Sequence, residues 1–261
     1  MTIGMEYFIL CGAAFLVSGL TLFSGFGLST LLLPLFVLFF PLPLSIALTA
    51  TVHFLNNLFK LVLWGRSADR LVVVKFGIPA LVSAFVGAGM LLWLAHLKPL
   101  FSYHFFSRQI SVTSVKFIVA LLMIFFAWMD LVPSLGHISF DKKYAPWGGF
   151  LSGFFGGLSG NQGALRSAFL IRFDLSKEVF VGTGVAIACL VDFSRLIVYG
   201  LSFAAEGVRQ NGVLVMCATL SAFLGAWIGT ALVKKVTIHL IQLLIGILLL
   251  IIALGLGSGL I

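Results

Sequence analysis

Between Lys75 and Lys98 the chain carries no Asp, Glu, Lys or Arg, and the same is true between Arg209 and Lys234. Uncharged apolar runs of this length constrain the fold more than any other feature. A helix needs about 20 apolar residues to cross a hydrocarbon core of about 30 Å. The stretches 72–97, 117–129, 179–199, 213–233 and 238–256 reach or approach that length. In water they would have to be buried, yet 61% of the residues are apolar and only 9% are charged. Soluble domains average about 45–50% and about 25%, and a folded exterior this poor in polar groups cannot face water. A mean hydropathy of +1.19 agrees. Backbone within lipid must satisfy its own hydrogen bonds, which leaves helices or a closed barrel. The runs are too long and too uniformly apolar for barrel strands of about 10 alternating residues. The sequence therefore predicts an all-α integral membrane protein of about ten hydrophobic segments.

Smaller features fit that class. Glu6, and the lack of a basic stretch before the first apolar run, differ from a signal sequence, so the first helix is expected to stay in the mature protein. Cys11, Cys189 and Cys217 lie inside apolar segments without metal-ligand spacing and read as small packing residues. No metal, cofactor or nucleic acid is expected. The net charge of +8 sits mostly in short loops, where the positive-inside rule accounts for it.

The chain also repeats itself. Leu55-Asn56-Asn57-Leu58-Phe59-Lys60 parallels Leu190-Val191-Asp192-Phe193-Ser194-Arg195, with Trp64-Gly65 against Tyr199-Gly200. Ser83-Ala84-Phe85-Val86-Gly87-Ala88 parallels Ser221-Ala222-Phe223-Leu224-Gly225-Ala226, and Ser24-Gly25 parallels Ser159-Gly160. Three matches in one order divide the chain into repeats 1–130 and 131–261. Each repeat opens with a glycine-rich interruption of an apolar run. One helix over residues 6–40 would be about 52 Å long, too long for a single crossing. Each repeat is therefore expected to open with a glycine-broken or re-entrant helical hairpin, followed by three spanning helices.

Charge supports opposite orientations. If each opening element returns to its own side, nine of the cations outside the spans fall on one face and four on the other, with Lys60, Arg166 and Arg195 left within spans. Single crossings give no bias. The positive-inside rule thus favours an inverted repeat with both termini outside the cytoplasm, in the plasma (inner) membrane.

Inverted repeats with broken helices are a transporter architecture, with the substrate near the midplane. A broken helix presents unpaired N–H groups and a positive dipole end, which favour an anion. The candidate substrate-binding residues are Ser24, Gly25, Gly27, Ser29 and Thr30 at the first break and Ser159, Gly160, Asn161, Gln162 and Gly163 at the second. Arg166 follows as a two-pronged anion ligand, with snorkelling to the surface or an internal ion pair as the alternatives. Thr49, His53 and Asn56 share a helical spacing with Asn57 beside them, and Thr49, Asn56 and Asn57 join the candidate set. Asp192, the acid deep in an apolar run, is the candidate for proton or cation coupling, with a structural pair to Arg195 as the alternative. Lys60 and Arg195 are expected to snorkel. Ser83, Gly87, Ser221 and Gly225 read as close helix packing.

The two breaks, Ser24-Gly25-Phe26-Gly27 with Pro34 downstream and Ser159-Gly160-Asn161-Gln162-Gly163, resemble those of the TauE/SafE family of sulfite and organosulfur anion transporters. Residues 47–51 and Gly182-Thr183-Gly184 add to the likeness, which covers nearly the whole chain. The resemblance implies movement of a small anion bearing a sulfur or carboxylate group. Leu28-Ser29-Thr30, Asn161-Gln162 and Arg166 depart from the family's glycine runs and bear on the choice of substrate. Two other readings are weighed. One is a passive anion channel. The other is a rhomboid-like serine protease, because Gly157-Leu158-Ser159-Gly160 fits its Gly-x-Ser-Gly pattern. A single active site does not explain the recurrence of Ser-Gly in the first repeat.

Overall fold

A computed structural model describes residues 3–21, 27–105, 108–131, 140–202, 204–232 and 238–261. The first half comprises α1 (Ile3–Leu20), α2 (Leu28–Val37), α3 (Leu42–Trp64), α4 (Arg70–Val72), α5 (Ile78–Ala95) and α6 (Ser114–Leu131). A π-helical turn, Val73–Gly77, joins α4 to α5. The second half comprises α7 (Ala145–Ser159), α8 (Gly163–Leu170), α9 (Lys177–Gly200), the short α10 (Ala204–Gln210), α11 (Gly212–Leu232) and α12 (Ile238–Gly257). The chain is a helical, multi-pass membrane protein. Among the described residues, Leu42–Ser67, Arg70–Ala95, Lys177–Gly200 and Gly212–Gly229 are long and apolar enough to cross a bilayer. Large apolar side chains such as Phe8, Val62, Trp93 and Trp227 point outward, as lipid rather than water requires.

Local chemistry sets the helix ends. Prolines stand in the first turns of α3 and α7, where a missing N–H breaks no helical bond. Asp69 caps α4 by accepting from the Val72 N–H at 3.0 Å. One element departs from the all-α expectation. Strands β1 (Phe101–Phe105) and β2 (Arg108–Val112) form an antiparallel hairpin between α5 and α6. Pro99 ends the helical pattern, and the alternation Phe101, Tyr103, Phe105 suits a pleated edge. The Tyr103 hydroxyl donates to the Ser258 carbonyl at 2.6 Å, tying the hairpin to the end of α12.

The pair α7–α8 is a helical hairpin. The Phe169 ring, near the end of α8, packs over Gly148 at the start of α7. Nearer the tip, the Ser152 hydroxyl donates to the Gln162 carbonyl at 3.0 Å. The 15 residues of α7 rise only about 22 Å, short of a full crossing. In the first half α1 and α2 also pack on each other.

Packing is exchanged between the halves. Helix α1 lies on α11 and α7 lies on α5; α5 also meets α9, and α11 also meets α3. Helix α3 pairs with α9 and α6 with α12. When α1, α3, α5 and α6 are exchanged in order for α7, α9, α11 and α12, every one of these pairings maps onto another in the set or onto itself.

Glycines make the closest of these contacts, as the Ser/Gly spacing predicted. A Cβ on Gly87 would strike the Phe154 carbonyl, and one on Gly225 the Phe15 carbonyl. On α7, Gly149, Gly153 and Gly157 meet backbone carbonyls of Phe76, Ala80 and Ala84. Backbone cannot retreat as a flexible side chain can, so Gly153→Val should force α5 and α7 apart. Overpacking costs about 1–3 kcal/mol and occasionally more. We expect a clear drop in the thermal midpoint of the purified variant; an unchanged midpoint would contradict the packing.

Candidate functional site

Helix α7 stops because Gly160 takes φ +82°, a conformation that disfavours side chains, while its N–H still bonds the Gly156 carbonyl at 2.9 Å. A Cβ there would lie 2.6 Å from Ser29 Oγ and 2.8 Å from Arg195 Nη1. The tip of the second hairpin therefore touches the start of α2. Helix α8 resumes at Gly163, and Arg166 N–H bonds the Gln162 carbonyl at 3.1 Å. Helix geometry leaves the preceding first-turn N–H groups without intrahelical acceptors. Asn161 and Gln162 are buried, and among the described residues none of their four side-chain polar atoms has a partner. Burying an amide unpaired is costly, so these groups are poised for something polar. At the first break Gly27 is extended and caps α2. Ser24 and Gly25 lie outside the described residues.

Where α3 crosses α9, four side chains form a buried network. Asp192 Oδ1 accepts from Arg195 Nε at 3.0 Å and Nη2 at 2.7 Å. Asp192 Oδ2 accepts from His53 Nδ1 at 2.6 Å and Asn57 Nδ2 at 3.1 Å. Arg195 also reaches the Gly156 carbonyl at 3.4 Å and Ser29 Oγ at 3.5 Å. Tyr199 OH donates to the Gly157 carbonyl at 2.6 Å. Asn57 and Asp192, matched in the sequence repeat, thus touch one another.

Beside this network lies a small cavity of about 40 Å³. Its polar wall is Thr21, Gly27, His53, Asn57, Lys60 and Arg166; its apolar wall is mainly the face of α9 formed by Val181, Gly184, Val185 and Ala188. Arg166 is 7% exposed, Lys60 5% and Arg195 0%. Snorkelling is overturned for Lys60 and Arg195, and Arg166 does not reach the surface either. Distance to a helix end misleads here, because the α3–α9 crossing and the α7 tip cover those positions. Lys60 makes no ion pair among the described residues.

Of the sequence-derived candidates, Gly27, Asn57 and Arg166 line the cavity. Ser29, Ser159, Gly160, Asn161, Gln162 and Gly163 gather at the meeting of the α7–α8 tip and α2, and Thr30 is buried on α2. The Ser159 hydroxyl donates to the Phe155 carbonyl one turn back, at 3.1 Å. Thr49 and Asn56 are buried but do not line the cavity; Asn56 Oδ1 accepts from Ser18 on α1 at 3.2 Å. Asp192 holds the pair with Arg195 and the contact with His53 at once. Sequence reasoning left His53 and Lys60 outside the candidate set. Their i, i+4, i+7 spacing with Asn57 was the available signal.

A family model described as sulfite exporter TauE/SafE matches residues 10–256, nearly the whole chain. No curated protein and no solved structure matches it.

Proposed function

The chain belongs to the sulfite exporter TauE/SafE family, and from that premise we propose that it is a secondary carrier of a small sulfur-containing oxyanion, with a small carboxylate as the nearest alternative cargo. One observation carries this reading: two cationic side chains, Lys60 and Arg166, line one buried cavity between membrane helices. Cations buried in a membrane protein mark substrate paths, and guanidinium grips a planar or pyramidal oxyanion through parallel hydrogen bonds. Size narrows the class. A water needs roughly 10–15 Å³ measured this way, so the cavity of about 40 Å³ suits an ion of sulfite's bulk better than a long sulfonate. The unpartnered amides of Asn161 and Gln162 and the first turn of α8 add donors at the hairpin tip.

The mechanism follows from the two halves. The exchanged packing and the hairpin that opens the second half support an inverted repeat, 1–130 against 131–261, rocking about a central site to give alternating access. The charge bias between the two faces supports a carrier in the plasma (inner) membrane with both termini outside the cytoplasm.

The test is uptake of radiolabelled sulfite into proteoliposomes. Saturable uptake is expected, competed by small oxyanions more than by long sulfonates. Lys60→Gln removes one charge-assisted contact, worth about 1.5–3 kcal/mol, and should raise the half-saturating concentration by at least about tenfold. Unsaturable flux at channel rates, or no effect of Lys60→Gln, would count against the carrier and its site.

A further inference from the structure

The acid in this network is not the group best placed to carry a coupling proton. A carboxylate offers about four lone-pair sites, and Asp192 fills them: Arg195 Nε and Nη2 on Oδ1, His53 Nδ1 and Asn57 Nδ2 on Oδ2. Its ionised form is the one these donors require. An ionised acceptor fixes the neighbouring tautomer, so His53 keeps its proton on Nδ1 and leaves a lone pair on Nε2. Nε2 points toward the cavity; it is 3.2 Å from where a Gly27 Cβ would stand, and both residues line the wall. Asn57 Nδ2 sits over the ring, 3.2 Å from each nitrogen, but its nearest acceptor is Asp192.

We propose that His53 is the proton-coupling site of this carrier. Its Nε2 takes one proton from water as the anion binds and returns it when the anion leaves, with Asp192 as the fixed negative partner on Nδ1. The proposal rests on the anion-carrier reading. The charges facing His53 explain the coupling. Helix α9 supplies Asp192 and Arg195, α3 itself supplies Lys60 and α8 supplies Arg166, while the described residues flanking the first break, Thr21, Gly27 and Leu28, are uncharged. With Arg166 and Arg195 protonated and one carboxylate ionised, the empty cavity is net positive even without a charge on Lys60, and it resists a further proton. An oxyanion reverses that sign, and the new imidazolium N–H donates to it. Proton and anion then strengthen each other's binding by the same factor, as linkage demands. One positive charge accompanies each anion, reducing the charge moved per cycle.

Two readouts on the purified wild-type protein test this, with sulfite as the probe at an alkaline pH where sulfite itself holds no proton. Calorimetry in buffers of different ionisation enthalpy should report about one proton taken up per sulfite bound. Nitrogen-15 NMR of labelled histidine, with the His53 signal assigned by its loss in His53→Gln, should show a neutral ring without sulfite and an imidazolium at saturation. Binding with no proton uptake, or with a His53 ring that stays neutral, would overturn the coupling while leaving the carrier reading intact. No sulfite binding at all would overturn both.

Discussion

Replacing Asp192 with alanine is expected to be among the most destabilising single substitutions in this protein. The carboxylate is fully buried and is the only acid in contact with Arg195 and His53 among the described residues. Removing one member of a buried ion pair strands its partner in a poorly solvating environment, at about 3–5 kcal/mol. At about 2–4 °C per kcal/mol, the scale for soluble domains of this size, the thermal midpoint in detergent should fall by roughly 10 °C. Asparagine should be much milder. It keeps one acceptor for Arg195, and it makes position 192 match Asn57, its counterpart in the repeat. A midpoint for Asp192→Ala within a degree or two of wild type would show that the network does not hold α3 to α9.

The contrast between that network and the sequence reading has a physical cause. Helical spans were legible, because a lipid-exposed run needs only length and absence of charge, and the runs near 72–97 and 213–233 coincide with α4–α5 and α11 within a few residues. The second break was legible because Ser159-Gly160 is followed by the polar pair Asn161-Gln162 and a further glycine, whereas Ser152-Gly153, with apolar residues after it, continues α7. Burial of Lys60 and Arg195 was not legible. Sequence measures how far a side chain lies from its own helix end, whereas what shuts these two in is a crossing between residues 135 apart. The polar stripe on α3 misled in a similar way. Neighbouring residues on a helix differ by about 100°, so Asn56 turns to Ser18 on α1 while Asn57 turns to Asp192 on α9. Spacing alone could not say which of the two faces a partner helix and which a cavity. The β1–β2 hairpin was missed because five-residue alternations carry little signal beside apolar runs of twenty or more.

The second large effect concerns transport rather than stability. Arg166→Ala should reduce sulfite uptake by on the order of 100-fold or more. Truncating one partner of a buried, charged hydrogen-bonded contact costs about 2–5 kcal/mol, and each 1.4 kcal/mol is tenfold in affinity. The fold should survive, since Phe169 anchors α8 by packing on Gly148 and Phe76. Arg166→Lys keeps a charge but loses the planar two-pronged grip, so its uptake should fall between the two. Wild-type uptake by Arg166→Ala would remove this residue from the site. A variant that fails to purify folded would show instead that Arg166 holds the α8 turn in place.

Direct titration of sulfite into the purified protein, followed by calorimetry alongside Arg166→Ala, asks whether the cavity between α3, α8 and α9 is where the anion sits. One saturable site per chain in the wild type, lost or weakened at least about a hundredfold in a variant with the same thermal midpoint, is the outcome expected. Equal binding by both proteins would place the anion somewhere other than beside Lys60 and Arg166.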